Sequence, residues 1–523
     1  MKRNILLTAL GTLALAVAVP AGAQTVYDGA SITDKDLNGT ARFVSMGGAM
    51  NALGGDISTM GTNPAGIGIY RSNDVMVSFG LSNYKTKSDT WDGNYDVSKT
   101  RGDFNNIGLV YTTKIGNNTT LRYLNFGFNY HRAKSFYSNQ RFSGNLGTTS
   151  QTYQMASQAE GISNWGNAPF DDNNVGWLSA FGYEGYVIDP VGDRDNTYVG
   201  MYDDGYGKLN VSERGGLDQF DFNMSMNFND RVYLGLTVGV YDLNYKKYTY
   251  YEEAYTGDYT GEGYDLQGWN RIVGAGVDLK LGAIIRPFAD SPFRVGLAIH
   301  TPTFYELDYK TSGYMTSTVY DSTDDDLKDY AVDSRDKISS GGEMVRSFQF
   351  RTPWLFNVSV GSTIGTNFAF DAEYEYQDYS TMKFYDVDGY ADTFSFENST
   401  REMLKGVSTF RIGAEYKPIP QFAIRAGYNY RSAVFEENAY KDLPYYSIET
   451  DTDYANMQQR HTATFGLGYR GSSFYADLAF KYDVMKADMY PFVNIEDNTL
   501  YPGTATGITN NRLQALLTVG VRF

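Results

Sequence analysis

No cysteine occurs in the chain, which excludes a disulfide scaffold, a thiolate metal site, a cysteine nucleophile and a lipid-modified N-terminal cysteine. Histidine is nearly as scarce, with only His131, His300 and His461. Beyond Gln24 no apolar run approaches the ~20 residues that a membrane helix requires, so strands must carry any membrane crossing. Basic residues are in deficit, 44 against 61 acidic ones for a net charge of −17, and such a surface repels nucleic acid. The acidic groups Asp171-Asp172, Glu252-Glu253 and Asp324-Asp325-Asp326 lack the spacing of a calcium loop and read as solvated loop surface. Neither a metal nor a cofactor site is expected.

What the chain does have is 45 tyrosines, 31 phenylalanines and 55 glycines against 13 prolines, a balance suited to long antiparallel strands with aromatic belts. Its start reads as a secretory signal: basic Lys2 and Arg3, an apolar stretch from Ile5 to Val19, and Ala21-Gly22-Ala23 as a small-residue cleavage site. Residues 1–23 are therefore assigned to a signal peptide, and the mature chain is expected to begin near Gln24.

Strict period-two alternation follows. At the end of the chain Leu513, Ala515, Leu517, Val519, Val521 and Phe523 share one face, while Gln514, Thr518, Gly520 and Arg522 share the other and only Leu516 breaks the polar side. The same pattern predicts strands near 74–83, 104–114, 121–132, 217–228, 231–246, 272–286, 293–310, 347–361, 367–384, 407–417, 421–432, 460–470, 473–486 and 511–523, about fourteen in all. Short joins at 115–120, 229–230, 287–292, 362–366, 418–420 and 471–472 alternate with long polar ones, the longest at 133–216. A β-sandwich has no reason to gather its long loops at one end, whereas outer-membrane barrels do so. The expected architecture is all-β: a transmembrane antiparallel β-barrel at 74–523, in the bacterial outer membrane. Phe523, aromatic and terminal on an alternating strand, is expected to act as the barrel's assembly signal.

Residues 24–73 neither alternate nor resemble a soluble domain. Small residues from Gly47 to Ala52 permit close packing, Asn63-Pro64 fixes a turn, and Gly66 and Gly68 permit unusual backbone angles. Apolar Phe43, Met46, Leu53, Ile57 and Met60 would be wasted on a free tail. The segment is expected to plug the lumen.

Arg42, Gly47-Gly48-Ala49, Ala52, Asp56, Ser58-Thr59 and Asn63-Pro64-Ala65-Gly66 resemble the N-terminal hatch of the FadL-type transporters, which include TodX-like hydrocarbon channels. Weaker likeness runs through Gly282 to Pro287, Arg294 to Ala298, Thr301-Pro302, Arg411 to Tyr416 and Arg425 to Tyr428. The resemblance implies passive uptake of hydrophobic small molecules, chiefly long-chain fatty acids, with the hatch as gate and release sideways through the wall. It implies a gating role for Asn63, Pro64, Ala65 and Gly66, with Gly47, Gly48 and Asp56 in support; ligand-pocket residues are not placed by it. The expected partners are the hydrophobic ligand, outer-membrane lipid and lipopolysaccharide, and the barrel assembly machinery.

A surface receptor or adhesion barrel is the alternative, its acidic, tyrosine-rich loops at 245–251 and 255–264 binding haem, glycan or a protein. Catalysis finds little support. The three histidines read as rim or lumen residues, with haem ligation by His131 or His461 a weaker option. Asp371, Glu373, Glu375, Asp477 and Asp483, with Arg425, Arg431, Arg470 and Lys481, read as a polar lumen network.

Overall fold

The computed structural model describes residues 24–90, 93–162, 164–192, 196–201, 204–388, 397–496 and 499–523; the signal peptide assigned to 1–23 lies outside them. Fourteen antiparallel strands close on themselves. They are β1 Asp74–Thr90, β2 Gly93–Lys114, β3 Leu121–Ser135, β4 Gly205–Phe228, β5 Val232–Tyr255 and β6 Gly263–Ile285. Strand β7 has two parts, Arg294–His300 and Phe304–Asp321, as do β8, Met344–Arg351 and Leu355–Ile364, and β9, Phe368–Asp378 and Lys383–Tyr385. The wall is completed by β10 Gly406–Ile419, β11 Phe422–Arg431, β12 Tyr454–Arg470, β13 Phe474–Tyr490 and β14 Thr506–Arg522. The seam joins Asp74–Ser88 of β1 to Arg522–Ile508 of β14, and beside it Asn73 and Phe523 exchange backbone hydrogen bonds of 3.0 and 3.2 Å. Closure leaves no sheet edge, the condition for crossing lipid.

Alternation sets the two surfaces of the wall. On β5 Leu234, Val238 and Val240 point out and are exposed, while Tyr233, Thr237 and Tyr241 point in and are buried. The outward set turns polar beyond Val240, with Asp242, Asn244 and Lys246, where the strand leaves the apolar belt. A closed barrel with a polar interior and an apolar outer belt is a transmembrane barrel of the bacterial outer membrane. Both chain ends of the wall and the short turns share one end, the periplasmic one, and the tight β4–β5 turn places Asn229 and Asp230 at φ of 53° and 58°, the left-handed pair that a two-residue hairpin demands.

The strands run further outward than the alternation predicts. Of the tyrosine-rich stretches expected as loops, 245–251 belongs to the outer half of β5, whereas 255–264 holds the connection at 256–262 between the ends of β5 and β6; Tyr245, Tyr251, Tyr255 and Tyr264 are turned inward and buried. Tyrosine hides this from sequence because it serves either face. The predicted loop at 133–216 is likewise partly wall: β3 reaches Ser135, β4 starts at Gly205, and Ser138–Asn145 adds a strand beside β4. Its remainder folds back as a cap containing α3, Gln151–Ala159, and α4, Trp177–Glu184, numbered after two hatch helices, α1 Val26–Thr33 and α2 Ala41–Ser45. Trp177, Phe181 and Phe170 are fully buried among the inward tyrosines. Glu253 anchors the cap, accepting from Gln151 N at 2.7 Å and from the hydroxyls of Tyr251 and Tyr255 at 2.6 Å.

Leu279 lies mid-belt on β6. Leu279→Arg is expected to destabilise the barrel by roughly 2–4 kcal/mol, and Asp242→Arg, above the belt, by far less; urea unfolding in lipid vesicles measures both.

Candidate functional site

The segment ahead of β1 threads the lumen along its length. Helix α1, started by a capping box between Thr25 and Asp28, stands at the outer end, where Val26, Ala30 and Ile32 join the apolar cluster of the cap and Tyr27 stacks on Phe435 at 4.5 Å. The chain then descends through residues 34–40 to α2 and a coil at 46–56. Two 3₁₀ turns, Ile57–Gly61 and Pro64–Ile69, bring it to the periplasmic end of β1.

Turns within the segment satisfy the amides of Gly47, Gly48, Ala49, Gly54 and Gly55, and the amides of Met50 to Leu53 find their partners in the wall. Two carboxylates of β9 supply them. One oxygen of Glu373 accepts from Met50 N at 2.6 Å and Asn51 N at 2.7 Å, the other from the Asn51 side chain at 2.9 Å. Asp371 accepts from Ala52 N and Leu53 N at 3.0 and 2.8 Å. Gly47, Gly48, Gly54 and Gly55 flank this latch at φ of 61–81°, conformations that side chains disfavour. Asp56 accepts from Thr40 Oγ1 at 2.8 Å and caps Ser58 N at 3.0 Å, and Arg42 donates to Gly55 O at 2.8 Å while its Nε lies 3.4 Å from Glu415.

The predicted Asn63-Pro64-Ala65-Gly66 motif is wholly buried on β4, β5 and β6. Asn63 accepts from Ala65 N at 3.2 Å and donates to Asn51 O at 2.9 Å, and Pro64 O accepts from Ser225 Oγ at 2.7 Å. Gly66 bonds from N to Asn63 O at 3.0 Å and accepts from Gly55 N at 2.9 Å. The wall makes room with glycine: a methyl at Gly235, Gly282, Gly296, Gly413 or Gly427 would strike the hatch backbone or Asn63.

Above the latch lies a charged layer. Hatch Asp34 pairs with Arg431, with Arg460 at 2.7 Å and with Lys134 at 3.3 Å, and Asp36 pairs with Arg512 at 2.8 Å. Burial opposes the charge on Asp36, but Arg512, Lys481 and Arg460 together hold its carboxyl well below the ordinary range. Among the described residues Lys35 has no ion pair; it donates to Tyr241 OH at 2.9 Å, and enclosure lowers its pKa to about 8. Two cavities of about 150 and 230 Å³ remain around this layer, each below the 300–1,000 Å³ of a drug-sized ligand site.

The wall is interrupted beside the first cavity. Strands β7, β8 and β9 all break at one height, at Thr301-Pro302-Thr303, Thr352-Pro353-Trp354 and Tyr379–Met382. Proline has no N–H for the ladder. Around it Thr301 Oγ1 accepts from Leu279 N at 3.0 Å and Thr352 Oγ1 from Thr303 N at 2.8 Å. The predicted strands 293–310, 347–361 and 367–384 are therefore not continuous. Thr301, Thr303, Thr352 and Pro353 line the inner cavity, while Leu281, Leu297, Phe356, Val358 and Tyr374 form an apolar groove on the outer wall just to the periplasmic side.

The remaining sequence-predicted residues divide. His131 and His300 face the lumen, His300 lying 2.8 Å from Thr62 O. His461 faces outward against Tyr428 and Tyr430, correcting its reading as a rim or lumen histidine, because Thr462 rather than His461 is the inward residue of its pair on β12. The polar network forms at Arg425–Asp477 (2.7 Å), Arg470–Asp477 (3.2 Å) and Lys481–Asp483 (3.2 Å), whereas Glu375 pairs with Arg411 at 2.8 Å. Lys35 and the wall breaks escaped sequence reading, although Pro302 and Pro353 within alternating stretches were a signal.

No family model matches the chain, and no curated protein matches it in sequence. Among solved structures, a Pseudomonas aeruginosa FadL homologue superposes with a TM-score of 0.53 at 12% identity, covering 94% of this chain and 99% of its own. The toluene transporters TodX of Pseudomonas putida and TbuX of Ralstonia pickettii give TM-scores of 0.47 and 0.42 at 11% and 13% identity, over 94% and 93% of this chain and 100% and 99% of theirs. At such identities the likeness speaks for the fold alone: this chain has the barrel fold of the FadL homologue.

Proposed function

We propose that the protein is a FadL-type transporter that admits hydrophobic small molecules, long-chain fatty acids foremost, passively across the outer membrane. The observation that carries this is the alignment of three features: a latched hatch, a wall broken across three neighbouring strands beside it, and an apolar groove outside the break. An apolar molecule gains nothing by remaining in the charged lumen and gains its full transfer free energy by leaving sideways into lipid. The break across β7, β8 and β9 is the exit, and Asn63, Pro64, Ala65 and Gly66, with Gly47, Gly48 and Asp56, are the moving gate. Lys35, which has no ion pair among the described residues and lines the cavity, receives the carboxylate headgroup. Partners in the same proposal are the surrounding lipid and lipopolysaccharide, and the barrel assembly machinery that reads the strand ending on Phe523.

Loosening the latch tests the gate. Asp371→Asn with Glu373→Gln is expected to raise the uptake of labelled long-chain fatty acid severalfold in vesicles carrying the folded barrel; unchanged uptake rejects gating and favours a surface receptor. Thr303→Trp fills the break, and flux should fall severalfold with the barrel still folded. Lys35→Gln should weaken fatty-acid binding about tenfold, the value of one charge-assisted hydrogen bond, and leave the binding of a neutral hydrocarbon unchanged; equal losses for both would remove Lys35 as headgroup site.

A further inference from the structure

Four basic side chains form a single row across the outside of the sheet. Arg214 on β4 is directly opposite Lys246 on β5, Lys246 is opposite Arg271 on β6, and Arg271 is opposite Lys310 on β7. Their chain neighbours Tyr245, Ile272 and Tyr309 are buried in the lumen, so the row faces out. Like charges directly opposite one another weaken a sheet, and here three such pairs follow in succession. The chain carries 61 acidic residues, yet few are spent on this row. Among the described residues Lys246 and Arg271 have no ion pair, and Arg271 Nε has no acceptor. Lys310 approaches Asp308 at 3.7 Å, and Arg214 stacks on Tyr137 at 4.3 Å while donating to Ser138 O at 2.8 Å.

The position of the row is as telling as its charge. It lies on the long-loop side of the lipid belt, whose outward apolar residues end at Phe220, Val240, Val273 and Phe304 on the same four strands. On β6 Arg271 is the next outward residue after Val273, whereas on the other three strands the outward acids Asp218, Asp242, Glu306 and Asp308 stand between the belt and the row. One step further out Tyr248 and Trp269 pair at 5.5 Å, an aromatic couple of the kind that settles at a membrane interface. Cations above an apolar face fit an amphiphile with anionic groups over acyl chains, and arginine matches phosphate in particular.

We propose that this row is a docking site for the phosphorylated headgroup of an outer-leaflet glycolipid, lipopolysaccharide in class, whose acyl chains lie along Leu236, Val238, Val240, Val277 and Leu279. The site stands outside the wall and does not depend on what passes through the lumen.

The test uses the full mature barrel in detergent, with bisphosphorylated lipid A, its dephosphorylated form and inorganic phosphate as probes. The variant is Lys246→Gln with Arg271→Gln and Lys310→Gln; Lys85→Gln with Lys328→Gln removes exposed charge elsewhere as control. Native mass spectrometry is expected to show phosphorylated lipid A on the native and control proteins, with at least tenfold weaker retention by the triple variant and by the native protein toward dephosphorylated lipid. Raised salt should weaken the first interaction most. Equal retention by the triple variant, equal retention of dephosphorylated lipid, or displacement by inorganic phosphate at the lipid's own concentration would each overturn the proposal. Heat-dependent electrophoretic mobility confirms that the variant is folded, and fatty-acid uptake, expected at the native level, separates failure of this site from failure of the transport function.

Discussion

Irregular backbone inside a closed sheet must find acceptors for every amide that its own turns leave over, and the rest of this molecule follows from how the wall meets that demand. Asp371 and Glu373 accept from four consecutive hatch amides, Met50 to Leu53. Each carboxyl group has room for several donors, so two side chains on one strand serve a whole turn of coil. Inward glycines on five other strands bring the wall close enough for the remaining contacts. Anchoring by a few side chains rather than by a shared ladder keeps the hydrogen bonds of the plug distinct from those that hold the sheet.

The two halves of the lumen use different physics. The outer half is sealed by an apolar mass in which α1 of the hatch, α4 of the cap and the inward tyrosines of β5 and β6 form one cluster. The middle is held by ion pairs between hatch acids and wall bases, Asp34 and Asp36 against Lys134, Arg431, Arg460 and Arg512. The underside of the cap and the outer belt are apolar, and the middle of the lumen between them is charged. The break across β7 to β9 lies between the charged middle and the apolar groove outside.

Much of this was legible in the residues. Alternation ending at Phe523 located the closing strand, and Leu516, the single departure from its polar face, turns out to be buried against the hatch with Phe43, Val44 and Met46. The turn at Asn63-Pro64 was visible because proline and glycine fix local geometry wherever they stand. The latch was not: Asp371, Glu373 and Glu375 read as lumen acids, and nothing local distinguishes a carboxylate facing another strand from one facing a coil more than 300 residues away in sequence. Tyrosine misled for the opposite reason, since a residue at home on both faces carries little information about where a strand stops. Pro302 and Pro353 did carry that information, and so did the change of parity at each break, from inward Gly296, Ala298 and His300 to inward Tyr305, Leu307 and Tyr309 on β7 and from inward Phe348 and Phe350 to inward Asn357 and Ser359 on β8, but runs of alternating neighbours on either side masked it.

The path of the N-terminal segment has a consequence for biogenesis. Gln24 and α1 are buried at the outer end of the lumen, above a charged layer and a latch that together fill the bore. A finished cylinder offers no passage through which that segment could be drawn. The sheet must wrap around a strand of chain already lying along its axis, and the last seam to zip, β1 against β14, is formed by the strand that the plug itself leads into. Enclosure of the plug and completion of the wall are thus one event, and the plug precedes in chain order every strand that encloses it.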